Sequence, residues 1–342
     1  MRFYQIDCIK VFAVFSVVAV HFLLNSGFYD IQINSWLAYF YTLLRLIFIT
    51  AVPLFIMTTG YLMGEKKLSS EYVARLFKIL IVYVVVSLID WVGQTIFLNH
   101  IMSFKDALYG LLDFSTNSYS WYVEMYIGLY LIIPILNAAW HNLSEQRYHN
   151  YIVLLAFILL FLPSLFNSGG KIISDWWTGA YPVGYYYIGL YLKTYPEKYQ
   201  KLSTRFVWVA SFMIFVVLST LTLLANYHKI FSWTNENDYM GYQTMVMAIL
   251  IFVLLLRLPF NNKAVRNYRL LTKISSITLT IYLFSDLSDS IIYNQFKILV
   301  PEMEHRLLFG PVVVTLSFLI ATILAIIVEY FIKKFSKSSR RV

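Results

Sequence analysis

The stretch "IDCIKVFAVFSVVAVHFLLN", residues 6–25, has the length and apolar character of a helix that crosses a bilayer. It also carries Asp7, Lys10 and His21. At 100° per residue, positions 7, 14 and 21 fall close to one stripe, and Lys10 and His21 stand about three turns apart on the same side. The rise of a helix separates them by about 16 Å in depth. Ionisable groups are expensive in a membrane and usually face a bundle interior or a wet cavity. The stretch therefore predicts a helix surrounded by others, with chemistry at two depths. The plainer alternative is a neutral packing histidine and a lysine that snorkels to the surface.

Composition agrees with a membrane protein. Of 342 residues, 59% are hydrophobic and 13% charged, where soluble domains carry about 25% charged residues. Aromatic residues reach 18%, in keeping with belts of Trp and Tyr at bilayer interfaces. The single cysteine, Cys8, excludes an intrachain disulfide and a cysteine-based zinc site. No metal is expected. A net charge of +9 raises the question of nucleic acid, but the basic residues cluster in loops on one side of the predicted bundle. That pattern orients a membrane protein and argues against nucleic-acid binding.

Ten apolar runs predict an all-α, polytopic bundle of about ten transmembrane helices. They cover approximately residues 8–25, 36–63, 76–98, 120–140, 150–166, 178–193, 204–226, 239–258, 272–296 and 311–332. No cleavage site follows the first, so it is not a removable leader. No soluble domain, repeat or low-complexity segment interrupts them, and residues 1–342 read as one transmembrane domain. With the N-terminus in the cytoplasm, most of the 27 Lys and Arg fall on the inner side, including Lys66, Lys67, Arg147, Lys201, Lys263, Arg266, Arg340 and Arg341. Lys105, Lys171, Lys229, Lys297 and Arg306 fall outside, and Arg45 lies within a span. The positive-inside rule then places both termini in the cytoplasm.

The charges within the spans sort by depth. The third span opens with "RLFK", which sets Arg75 and Lys78 near the depth of Lys10, and its Asp90 lies about 20 Å further across. The fourth enters from outside with "SWYVEMYIGLYLIIP", placing Glu124 about 6 Å below the outer surface. The ninth brings Asp286 and Asp289 into the same outer half through "TIYLFSDLSD". Lys10, Arg75 and Lys78 thus form a basic layer at the cytoplasmic mouth, suited to phosphate. His21 with acidic neighbours forms a second layer, suited to general-base work on a hydroxyl. Phosphates at one end and a reactive group three turns away describe an acyl-coenzyme A whose arm threads into the bundle. Glu124 and Asp286 compete as the carboxylate partner of His21. Asp90 and Arg45 are expected to form a structural interhelical pair.

Several segments carry a family likeness. They are "QIDCIKVFAVFSVVAVHF" with Lys10, ten intervening positions and His21; "VPLFIMTTGYLM" with Pro53, Phe55 and Gly60; Arg75 and Lys78 at the third span; "SWYVEMYIGLYLIIPIL" with Trp121, Tyr122, Gly128, Tyr130 and Pro134; and "YYYIGLYL". In these the chain resembles the acyltransferase 3 family of bacterial integral-membrane O-acyltransferases, over essentially its whole length. The chain departs from the family pattern at four places. Lys10 and Lys78 replace Arg, Thr59 replaces Ser, and "IYLFS" carries Ser285 where many members have His. Lys is not equivalent to Arg where phosphate is held by two parallel hydrogen bonds.

The resemblance implies transfer of an acyl group, most often acetyl, from cytoplasmic acyl-CoA (acetyl-CoA) to a hydroxyl of a cell-surface or exported saccharide. It places the protein in the bacterial cytoplasmic membrane. His21 would be the base or a transient acyl acceptor, and Lys10, Arg75 and Lys78 would hold the coenzyme A phosphates. Trp121 and Tyr122, at the outer mouth, would stack on the sugar acceptor or else serve as belt aromatics. Some relatives carry an appended extracytoplasmic domain. With the sequence ending at Val342, the expectation is that the chain completes the transfer alone or that a separate extracytoplasmic partner does. A transporter or flippase for a saccharide, with His21 and the carboxylates as a proton relay, is the competing reading. It lacks the internal symmetry such proteins commonly show.

Overall fold

The computed structural model describes residues 2–98, 102–260 and 268–338, with side chains described as far as 334. Lys263, Arg266, Arg340 and Arg341 of the inner charge pattern lie outside the described residues. The described chain is all helical, with no β-strand. Its main helices are α1 (Tyr4–Ser26), α2 (Trp36–Phe48), α3 (Ala51–Met63), α4 (Ser70–Leu98), α5 (Phe104–Leu112), α6 (Trp121–Asn142) and α7 (Gln146–Phe166). After these come α8 (Tyr181–Thr194), α9 (Thr204–Asn226), α10 (Tyr242–Leu256), α11 (Arg269–Ser275), α12 (Thr278–Leu299) and α13 (Gly310–Ser338).

By length and apolarity, 7 described helical segments can cross a membrane, or up to 8 when the bent pair α11 and α12 counts as one. This makes the chain a multi-pass membrane protein. The sixth and eighth of the ten predicted spans are α8, with 14 residues, and α10, with 15. Fourteen residues rise about 21 Å, less than the ~30 Å of a hydrocarbon core. The reason is visible in the packing of α8, which is buried along most of its length. Its apolar run serves protein contact on all sides.

Two predicted spans are interrupted. The second splits into α2 and α3 at Ile49 and Thr50. Pro53 has no N–H to give the carbonyl of residue 49, and its ring crowds that carbonyl. The hydroxyl of Thr50 instead donates to the Ile47 carbonyl at 2.6 Å. The ninth bends by 73° between α11 and α12. Non-helical backbone at membrane depth persists where protein buries it or where it lines a cavity, and Ser276 and Ile277 at this bend do line one.

The first helix occupies the centre. It packs against α2, α3, α10, α11, α12 and α13, and 72% of its most apolar window is buried, the largest share of any span described. Its titratable groups therefore face protein and not lipid. Helices α3 and α8 cross with their backbones in contact. A Cβ added at Gly60 would strike the Tyr186 carbonyl, and one at Gly189 would strike the Met57 carbonyl. Small residues let membrane helices approach this closely, which accounts physically for the glycines in "TTGYLM" and "YIGLYL".

The expected Arg45–Asp90 pair does not form. Arg45 is buried among the rings of Tyr29, Phe231 and Trp233. It donates to the Tyr29 hydroxyl at 2.7 Å and to the Asn237 carbonyl at 3.1 Å. It ties α2 to the loop ahead of α10. Asp90 lies on the face of α4 that meets α12, where Gly93 packs against Leu287. One Asp90 oxygen accepts from Gln94 at 2.9 Å, and the other has no hydrogen-bond partner. The helices carrying these two groups present them to different neighbours.

Candidate functional site

Lys10 opens onto a cavity of about 350 Å³ at its end of α1. Lys78 of α4 stands on the same wall, and Phe55, Thr59 and Met63 of α3 line it. The far end is closed by Tyr122 and Tyr126 of α6 and by Tyr282 of α12. The wall is mostly apolar, with the two ammonium groups and Glu329 as its charges. Glu329 accepts from Thr280 at 2.8 Å and pairs with Lys333 at 3.3 Å. Asp7, three residues before Lys10, is engaged elsewhere: Arg2 donates to it at 2.6 and 3.0 Å, and Ser275 at 2.6 Å. Among the described residues Lys10 makes no ion pair, which leaves its ammonium available to an anion. Arg75 is exposed one turn before Lys78, near Tyr130, and does not line the cavity.

Towards the other end of α1, His21 is 7% exposed. Its imidazole lies on the ring of Tyr119, with centroids 3.8 Å apart. Its Nδ1 is 3.5 Å from an Asp289 carboxylate oxygen, long for a hydrogen bond, and Nδ1 has no other partner. Catalytic hydrogen bonds are often loose before substrate binds and tighten in the complex. Asp289 itself is held by two donors: Tyr119 Oη at 2.9 Å and Ser317 Oγ at 2.5 Å. Ser288 contacts Ser317 at 2.9 Å. With Nδ1 turned to the carboxylate, Nε2 is the nitrogen that remains for a substrate.

Among the described residues neither carboxylate expected to compete for His21 forms an ion pair with it. Asp286 accepts the backbone N–H of Ser118 at 2.6 Å. It stands within electrostatic reach of His21 but forms no ion pair with it. Glu124 is exposed on the first turn of α6, near Tyr83, and makes no ion pair with His21. Asp286 and Asp289 are three residues apart and share a face of α12, so rotation of that helix decides which one meets the imidazole. Ser285 donates to the Tyr282 carbonyl at 2.6 Å. Its hydroxyl is spent on the backbone and does not stand in for a ring nitrogen.

Trp121 stacks on Tyr239, centroids 5.5 Å apart. Tyr122 is buried against Phe55, Tyr126 and Tyr282, in the wall of the Lys10 cavity. Between that cavity and His21 lies one aromatic layer. Tyr282 lines the cavity and donates to the Tyr119 carbonyl at 2.6 Å, while the Tyr119 ring covers His21. Sequence reasoning missed Tyr119, Ser317 and Glu329. Only Glu329, a lone acid in the apolar run "AIIVEYF", carried a signal.

A protein-family model described as "Acyltransferase domain" matches residues 3–330. No curated protein and no solved structure matches the chain.

Proposed function

The chain belongs to the acyltransferase 3 family, a family of membrane acyltransferases, and on that premise we propose that it moves an acyl group, acetyl in the first instance, from cytoplasmic acyl-CoA to a hydroxyl of a cell-surface or exported saccharide. The observation that carries this reading is the division of α1. One end opens a cavity lined by two ammonium groups, and the other holds an imidazole against a carboxylate. The cavity end takes the phosphates of the donor, and its apolar walls take the pantetheine arm. When the Tyr119–Tyr282 layer turns aside, the thioester reaches His21. There Nε2 removes the proton of the acceptor hydroxyl as its oxygen attacks the thioester carbonyl. The C–S bond breaks, and the coenzyme A thiolate leaves with the proton from the imidazolium. Asp289 stabilises that imidazolium and holds Nδ1 as the protonated nitrogen.

Transfer of label from radiolabelled acetyl-CoA to a cell-surface glycan, by the purified and reconstituted protein, tests this directly. Base-labile label on the glycan is the expected result. No transfer to glycan, with the acetyl-CoA intact, removes the reading.

The donor end makes its own forecast. Lys10→Ala and Lys78→Ala should each weaken coenzyme A binding about 10- to 100-fold, the worth of a charge-assisted hydrogen bond. Lys10→Arg should be tolerated, and Arg75→Ala, outside the cavity wall, should matter least. Unchanged affinity in both alanine variants, measured by titration in detergent, would reduce the two lysines to topology signals.

The orientation belongs to the same proposal: a bacterial cytoplasmic membrane, about ten crossings including α8 and α10, and both termini inside. An impermeant thiol reagent applied to whole cells should label Lys105→Cys and spare Lys67→Cys. The reverse pattern inverts the bundle.

A further inference from the structure

Helices α1 and α12 pack side by side and run in the same direction. Asp7 meets Ser275 just ahead of α12, and His21 meets Asp289, so the two ties are spaced by the same fourteen positions on both segments. Parallel neighbours bring the like ends of two helix dipoles together, each worth roughly half a negative charge at the C-terminus. Ser26 ends α1, and Leu299 ends α12. Both ends leave carbonyls with no partner inside their own helix.

Arg306, at the end of the short helix Met303–Arg306, answers both. Its guanidinium donates to the carbonyls of Val300 at 2.7 Å and Pro301 at 2.8 Å, just past α12, and to the Ser26 carbonyl of α1 at 3.3 Å. The residue is only 7% exposed. Among the described residues it forms no ion pair, and Glu302, four positions earlier, pairs with His305 at 2.8 Å. A buried charge left without a partner is costly, and here the two helix ends supply the opposing charge. Leu307 next to it, Phe28 just past α1 and Phe296 in the last turn of α12 belong to one buried apolar cluster. The guanidinium is therefore seated in packed surroundings.

We propose that Arg306 is a positioning residue for the transfer reaction: its guanidinium locks the ends of α1 and α12 together and so sets Asp289, not Asp286, against His21. The inference rests on the acyl-transfer reading, in which His21 is the base and Asp289 its partner. Asp286 and Asp289 share a face of α12, so the choice between them turns on the register of α12 against α1. Asp7 and Ser275 hold that register at one end, and Arg306 holds it at the other. The Ser26 carbonyl lies about 7.5 Å beyond His21 along α1, close enough for slack there to reach the imidazole.

The test is a double-mutant cycle read in turnover on the full-length, reconstituted protein. Arg306→Gln should lower kcat for label transfer from acetyl-CoA about 10- to 100-fold, the scale of a misplacement by about 1 Å. Coenzyme A affinity should stay unchanged, because the Lys10 cavity lies at the other end of α1. In protein that already carries Asp289→Asn, the same replacement should cost less than about threefold, since the pairing it protects is gone. Combined with Lys10→Ala, it should keep its full effect on kcat. Arg306→Lys retains the charge with fewer donors and should recover part of the lost turnover; it carries the cycle if the glutamine variant loses thermal stability. Unchanged kcat, or equal losses in the wild-type and Asp289→Asn backgrounds, overturn the positioning role while acyl transfer by the wild type stands. A wild-type protein that transfers no label overturns the acyl-transfer reading and this inference together.

Discussion

His21→Ala is expected to lower acyl transfer by about 10²- to 10⁴-fold, the range general-base catalysis supplies, with coenzyme A binding close to wild type. The two functions are separable because they sit at different ends of α1. Lys10 lines the donor cavity, and His21 lies beyond the Tyr119–Tyr282 layer. Loss of the imidazole removes the group that takes the hydroxyl proton and leaves the ammonium groups where they are. A packing histidine predicts the opposite combination: His21 is buried against Tyr119, so truncation would cost thermal stability while the folded fraction kept its turnover. Thermal melts, coenzyme A titration and label transfer on the same preparation separate the two. A well-folded His21→Ala protein that transfers label at near wild-type rate takes the histidine out of the mechanism.

Asp289→Asn should reduce turnover about 10²- to 10⁴-fold, the loss expected when a carboxylate that fixes the tautomer of a catalytic imidazole becomes an amide. The amide keeps the shape of the side chain but removes the charge that stabilises the imidazolium. It also sets an NH₂ group against Tyr119, Ser317 or His21, all placed around Asp289 as donors or ring nitrogens. The fall should appear in kcat and kcat/KM together, with donor binding little changed, as for an interaction made in the transition state. Asp286→Asn is the control. Its carboxylate accepts the Ser118 N–H and forms no ion pair with the imidazole, so its replacement should cost less. A larger fall for Asp286→Asn than for Asp289→Asn would reassign the partner of His21.

Much of the architecture was legible because its signals are local. Hydropathy over about twenty residues marks a crossing segment regardless of its neighbours. The helical period puts Lys10 and His21 on one side of α1 and Asp286 near Asp289 on one side of α12. Even the break between α2 and α3 has a local cause in Pro53, since proline interferes with a carbonyl four residues back in its own helix. The lengths of α8 and α10 were less legible. An apolar run reads alike whether it faces lipid or buries itself in protein, and α8 is of the second kind.

The partnerships within the site were decided only by tertiary structure. Which carboxylate meets His21 depends on the rotation of α12 against α1, and that follows from the bend at Ser276 and Ile277 and from the packing of α12 on α4 and α13. A turn of α12 by about 60° with a shift of about 4.5 Å along its axis would exchange Asp289 for Asp286, with no change in either helix's own pattern. Arg45 and Asp90 were expected to attract each other by charge and depth, but aromatic rings enclose the one and α12 faces the other. Charge and depth are properties of a single helix, and the sequence by itself determined them. Contact is a property of two helices, set by the packing of all their neighbours, and a hydrogen bond or ion pair forms only within a few ångströms. That is finer than depth along a helix axis can resolve.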